Sequence, residues 1–267
     1  MTQFGIGQSV SRFEDPRLLR GQGQFIDDHN LPGQAHAVLV RSPHAHARIK
    51  SINTQAALKA PGVLAVYTGE DVAADGLGTM KMTLPRKRPD GSPMVYRQHQ
   101  GLSRGEVKYV GDPVALVVAE TVWQAKDAAE LVEVDYEPLP SVTDTMQLVQ
   151  EGSPPVWSEC PDNLSHIFEQ GNAQATEQAF AKAHRIVKRR YVISRVYAHY
   201  MQPRGVLAQY DPGEDRYTIW ADVQYPHRVR NALAENIFKI PEHQIRVIAH
   251  DVGGGFGTKG WQYPEHR

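Results

Sequence analysis

The stretch from Val247 to Gly260 constrains this chain more than any other. An apolar run, Ile245 to Ala249, reads as a strand and leads into four glycines within five positions, Gly253, Gly254, Gly255 and Gly257. Glycine loses the most conformational freedom on folding, so a cluster marks backbone that bends sharply or approaches another group closely. With no Cβ in the way, the consecutive N–H groups of Gly255, Phe256 and Gly257 can point together at an anionic or oxo ligand. The competing reading is a mobile turn. Ordinary turns have little use for four glycines, and Phe256 in their midst argues for a packed loop.

Two phosphate-binding motifs are tested by the same residues and fail. Gly255, Gly257 and Gly260 have the spacing Gly-x-Gly-x-x-Gly, but a dinucleotide fold needs a helix opening there and an acidic residue about 20 positions on. Only seven residues follow Gly260, and Pro264 among them continues a helix poorly. The Walker pattern fails because Lys259 follows Thr258 rather than glycine. Gln224 is the second candidate. It ends a strand and precedes a helix start at Pro226, where open α/β sheets present functional groups, and its amide can donate to a ligand while staying neutral. The competing reading is a surface or capping glutamine.

Charge and cysteine content exclude several classes. A net charge of −1 gives no global field for nucleic acid or an anionic membrane. No stretch approaches 18 apolar residues and the first thirty contain no apolar leader core, so a cytoplasmic protein is expected. Cys160 is the one cysteine, too few for an internal disulfide or for four thiolate ligands to an iron–sulfur cluster. His44 and His46 lie on one face if their segment is a strand, yet no third ligand stands at zinc spacing. Arg86-Lys87-Arg88 is a phosphate patch or, more simply, a solvated loop.

Along the chain, a turn-rich arm precedes strands at Ala35 to Val40 and Ala47 to Ile52. Thr54 is positioned to cap a short helix, Gln55 to Lys59, before a strand at Val63 to Tyr67. Asp75 to Gly105 is rich in Gly and Pro. Val114 to Ala119 is a buried strand, Thr121 caps a helix through about Val132, and Val132 to Tyr136 returns as a strand. A Pro- and Gly-rich linker, Ser141 to Asn172, leads to a helix beginning at Thr176 and a long alternating strand, Arg185 to Val196. Strands Val206 to Tyr210 and Tyr217 to Trp220 follow, then a helix placing Val229, Leu233 and Ile237 on one face.

Several segments together carry a family resemblance: Ser9 to Gly23, Phe25 to Asp28, Val40 to Ile49, Tyr109 to Ala119, Val134 to Pro140, Val223 to His227 and Asp251 to Gly257. In order and over nearly the whole chain they resemble the molybdenum-binding large subunit of the xanthine dehydrogenase/aldehyde oxidase family, especially its bacterial carbon-monoxide-dehydrogenase-like branch. The resemblance implies an α+β fold with an N-terminal arm at 1–17, an α/β hammerhead domain at 18–140 and a linker at 141–172. Residues 173–267 are then the incomplete first part of a molybdopterin-binding α+β domain.

It also implies that the backbone at Gly254, Gly255, Phe256 and Gly257 lies against a molybdenum–molybdopterin cofactor, in the cytosine dinucleotide form. Gln224 would hydrogen-bond an oxo ligand of the metal, and no residue of this chain would ligate it. His44 and His46 become structural residues. The implied reaction is oxidative hydroxylation of an aldehyde, N-heterocycle or similar small molecule, with water as oxygen source and electrons passed to 2Fe–2S and FAD. Those centres are expected in a 2Fe–2S small subunit and an FAD-binding medium subunit, with no nucleic-acid or membrane partner. Relatives of this kind are far longer, so the catalytic glutamate and substrate-selecting loop are expected beyond Arg267, or on a companion chain without which this one is inactive. The alternative is a non-catalytic scaffold or nucleotide-binding subunit that keeps the fold. Three departures stand out: Gln202 where relatives commonly show Glu, Thr258 for a frequent Gly, and one extra residue near Phe238.

Overall fold

The computed structural model describes residues 7, 9–81 and 84–266. The arm forms one short helical turn, α1 (Asp15–Leu18), with proline at its start, where a missing N–H costs no helical bond. Two three-stranded antiparallel sheets follow, built from β1 (His36–Arg41), β2 (Ala47–Asn53), β3 (Val63–Thr68), β4 (Glu106–Val107), β5 (Pro113–Ala119) and β6 (Glu133–Pro138). Their orders are β1-β5-β3 and β4-β2-β6. Helices α2 (Gln55–Leu58), α3 (Gly69–Ala74) and α4 (Val122–Ala129) connect them. The nearly continuous apolar β5 is central and buried, as such a run must be when helices cover its sheet. Ala115 and Val117 of β5 pack with Ala57 of α2 and Ala128 of α4, small side chains that let helix and sheet approach closely.

Details of capping differ from expectation. Thr121 Oγ1 accepts the Gln124 N–H at 3.2 Å, as its position predicts. Thr54 makes no such bond; Asn53 Oδ1 accepts the Gln55 N–H instead, at 3.2 Å. Helix α4 ends at Ala129 rather than Val132, which leaves Ala128 on the core face.

The stretch from 141 to 172 is more than a tether. It carries α5 (Thr145–Leu148) and is pinned to the first unit, with Lys108 Nζ donating to Val156 O at 2.9 Å and Ser165 Oγ to Val95 O at 2.7 Å. Arg88 pairs with Asp162, so the basic run is at least partly structural. Helix α6 (Ala173–Ala181) starts before Thr176, because Asn172 Oδ1 captures the Ala175 N–H at 2.9 Å. The expected strand at Arg185 to Val196 does not form. That segment has no regular structure and is exposed throughout. Alternation alone cannot make a strand, because the backbone needs a neighbour for its ladder, and none of the sheets among the described residues takes this segment.

The second unit is a three-stranded sheet of order β7-β8-β9, from β7 (Val206–Asp211), β8 (Arg216–Ala221) and β9 (Ile245–Ile248). β7 and β8 are antiparallel; β8 and β9 are parallel, which requires a crossover. The crossover is α7 (Pro226–Ala232), continued by a π-helical turn, Leu233–Phe238. Val229, Leu233 and Ile237 are buried on its sheet-facing side, as their spacing predicts. A π-turn holds an extra residue without displacing the helix ends. Its loosened carbonyl is served from the first unit, where Gly78 N–H donates to Ile237 O at 2.8 Å. Gly78 must be glycine for this contact, since a Cβ would lie 1.7 Å from Asn236 O.

Candidate functional site

β8 runs on to Gln224 and β9 runs on to the glycine loop, so parallel pairing brings the two candidates to the same end of the sheet. Gly257 N–H donates to Gln224 Oε1 at 3.0 Å. A Cβ on Gly255 would sit 2.7 Å from that same oxygen. This is the close approach that the glycine cluster demands. Gly254 and Gly257 take φ of +91° and +87°, and Phe256 is driven to +46°. Thr258 N–H and Oγ1 both donate to Gly255 O, at 2.8 and 2.7 Å, closing the loop on itself.

Two findings modify the expected cradle. The Gly257 N–H is occupied by Gln224, which leaves the N–H groups of Gly255 and Phe256 as the pair without a protein acceptor among the described residues. Phe256 is not packed: it is 74% exposed and takes a positive φ. Gln224 is exposed and, with its oxygen engaged, its Nε2 has no acceptor among the described residues.

The floor of the loop is charged. Lys259 and Asp222 are buried and form an ion pair at 2.5 Å. Asp222 Oδ1 also accepts the Gly205 N–H at 2.9 Å, while Lys259 Nζ reaches Gln202 Oε1 at 3.2 Å and lies 4.4 Å from the Tyr200 ring centroid. Gln202 Oε1 in turn accepts the Gly253 N–H at 2.6 Å, and its Nε2 is buried without a partner among the described residues.

The arm clamps the loop's entrance. Arg17 forms a bidentate pair with Asp251, both contacts at 2.6 Å, and Gln24 N–H donates to Asp251 Oδ2 at 2.8 Å. The Arg17 hydrogen bond, then that of Gln24, lowers the Asp251 pKa to about 2. On the far side Glu265 binds Arg41 of β1 at 2.5 Å and Arg204 at 3.7 Å, and Arg204 stacks 3.8 Å from the Tyr263 centroid. Burial works against the Glu265 charge, but its backbone hydrogen bond and the two arginines outweigh it, so its pKa is lowered.

Sequence reasoning missed Lys259, Asp222, Arg17 and Asp251. Asp222 carried a readable signal, a carboxylate between Ala221 and Val223 in an otherwise apolar strand end, where an unpaired charge is too costly to bury. The histidines do not converge. His44 and His46 lie in a turn rather than a strand; His44 packs edge-on to Tyr136 at 4.9 Å and His46 Nδ1 meets Pro140 O at 3.1 Å. Among the described residues no three His, Cys, Asp or Glu side chains gather as a metal site. A cavity of about 470 Å³ lies elsewhere, beside Arg216, Arg230 and Arg246, and Glu242 neutralises Arg230 there at 2.5 Å.

Comparison with known proteins identifies both units. Residues 20–140 match the model of the aldehyde oxidase and xanthine dehydrogenase a/b hammerhead domain, and residues 156–266 that of the molybdopterin cofactor-binding domain. The nicotine 6-hydroxylase large subunit of Paenarthrobacter nicotinovorans is 38% identical over 99% of this chain and 31% of its own. The carbon monoxide dehydrogenase large chain of Afipia carboxidovorans is 36% identical over 97% of this chain and 32% of its own. Among solved structures, reconstituted CO dehydrogenase from Oligotropha carboxidovorans superposes with a TM-score of 0.84 at 34% identity, covering 98% of this chain and 33% of that one. Quinoline 2-oxidoreductase from Pseudomonas putida 86 gives 0.82 at 36%, covering 98% and 32%. The chain thus spans about a third of the length of these relatives.

Proposed function

Because this chain belongs to the aldehyde oxidase and xanthine dehydrogenase family of molybdenum enzymes, we propose that it is the N-terminal portion of a molybdenum hydroxylase large subunit. The reaction is the oxidative hydroxylation of an aldehyde, N-heterocycle or similar small molecule, with oxygen drawn from water. One observation carries the reading: a neutral amide donor, Gln224 Nε2, and the open N–H groups of Gly255 and Phe256 share one rim. That donor set suits the oxygen-rich face of a molybdenum–molybdopterin group, in its cytosine dinucleotide form. At Gly255 the Cβ position is already filled by Gln224, so that position of the cradle admits glycine alone.

Bound there, the cofactor supplies two-electron redox chemistry. The chain's own residues position it. Gln224 is held by the Gly257 N–H, so its donor is fixed in direction, and as an amide it stays a donor at any working pH. The N–H groups of Gly255 and Phe256, pre-set by the loop, stabilise charge without reorganising. Gly254 supplies the turn that aims them, and the exposed Phe256 ring supplies an apolar wall.

On this reading the chain divides into an arm (1–17), hammerhead (18–140), connecting segment (141–172) and partial cofactor domain (173–267). Further polypeptide completes the site, on the same chain or a companion, and electrons leave through 2Fe–2S and FAD in partner subunits, in the cytoplasm. The exposed apolar residues of 185–196 support this, with Ile193 90% and Tyr191 85% exposed. The test is elemental and flavin analysis of the complex purified through this chain. Molybdenum with iron and flavin is the expected result. A folded complex without molybdenum overturns the assignment and leaves a non-catalytic scaffold.

A further inference from the structure

We propose that Lys259 is the positioning residue of the glycine loop, setting the distance between Gln224 and the open N–H groups of Gly255 and Phe256. This rests on the cofactor reading above for its purpose, but not for its geometry. Lys259 and Asp222 have 0% and 1% of their side chains exposed, whereas every other ion pair among the described residues has a partner more than a fifth exposed. Stability of the fold does not account for such a pair, because replacing both charges with uncharged groups of similar volume is often neutral or stabilising. Directed contacts are what uncharged substitutes lack.

The Lys259 ammonium makes them in two directions, and the residue's backbone carbonyl adds a third contact. Its ammonium meets the Asp222 carboxylate at 2.5 Å, two residues before Gln224 on the same strand end. The ammonium also meets Gln202 Oε1 at 3.2 Å, the atom that receives the Gly253 N–H at 2.6 Å. Its own carbonyl accepts the Gln224 N–H at 3.0 Å. The loop's first glycine, its last turn and the Gln224 backbone are therefore referred to one residue. Tyr200 closes the remaining side with its ring face, which favours a cation over a neutral side chain.

The experiment uses the complex isolated through this chain, in wild-type form and as Lys259→Met, Lys259→Met with Asp222→Asn, and Gln202→Leu. Thermal midpoint, molybdenum per chain and amide exchange of segments 222–226 and 253–260 are measured. Lys259→Met is expected to lower the midpoint, because Asp222 is left charged and alone. The double variant removes both charges at nearly constant volume, so its midpoint should recover. Its loop exchange should stay about tenfold faster and its molybdenum content well below wild type, a split that a purely structural pair does not give. Gln202→Leu leaves the ion pair intact and should accelerate exchange at the loop's start, which keeps the test decisive if the double variant fails to fold. Wild-type exchange and metal content in the double variant, or an unchanged loop in Gln202→Leu, overturns the proposal. A molybdenum-free wild type with a Lys259-dependent loop overturns the cofactor reading instead.

Discussion

At the residue scale, position matters more than residue type. Gly255 and Gly257 look equivalent in sequence but fail differently when given a methyl group. At Gly255 the Cβ would meet Gln224 Oε1 at 2.7 Å, so Gly255→Ala should displace the glutamine and reduce molybdenum content with little change in melting. Gly257 has open space but a φ of +87°, so Gly257→Ala should cost about 1–2 kcal/mol in denaturant unfolding. The opposite ranking would show that the loop relaxes around the new methyl. Lys259→Met belongs at this scale too, because an unpaired buried partner costs on the order of 3–5 kcal/mol. The close approach at the glycines was legible in sequence because it follows from residue identity. Lys259 was not. A lysine beside glycines reads as exposed until the fold supplies Asp222 and Gln202.

At the element scale, two junctions decide whether the loop keeps its shape. The arm's junction is acid-sensitive. Asp251 titrates near 3.9 in an unfolded chain and at about 2 in the folded one. Its contribution is therefore complete above about pH 4 and is lost as pH falls through about 2. Limited proteolysis should release the arm at pH 2 but not at pH 5, and Arg17→Ala should release it at both. The second junction is the π-turn. Gly78→Ala must move either Asn236 or the loop before it, at a cost of about 1–3 kcal/mol by chemical denaturation. Strands β1, β2, β3, β5, β6, β7, β8 and β9 were legible because alternation or continuous apolarity coincides with a neighbour that pairs. The π-turn was not, since helical periodicity at Val229, Leu233 and Ile237 survives the added residue. Thr54 lost its expected cap to Asn53, and the helix expected to begin at Thr176 starts earlier on an Asn172 cap, asparagine being at least as good an acceptor as threonine.

At the scale of the whole molecule, both units bury packed apolar clusters, yet one stretch keeps its apolar side chains bare. Ile186, Val192, Ile193 and Val196 lie there, each more than half exposed. Ile193→Lys should therefore reduce concentration-dependent association of this chain in sedimentation, and it should weaken assembly of the complex. A change in neither would mean that nothing docks on this stretch. The alternation of Arg185 to Val196 was legible, but its pairing was not, because a partner strand is a property of the assembled sheet. The clamp at the loop's entrance has a consequence in time as well as in space. Arg17 and Asp251 are 234 residues apart, and at a synthesis rate of roughly 5–20 residues per second the arginine waits tens of seconds for its carboxylate to leave the ribosome. The sheets of 36–138 can form during that wait, while the arm stays unlatched. The cradle's entrance is then closed by the arm meeting a segment made 234 residues later, so nothing is held there before translation has passed that point.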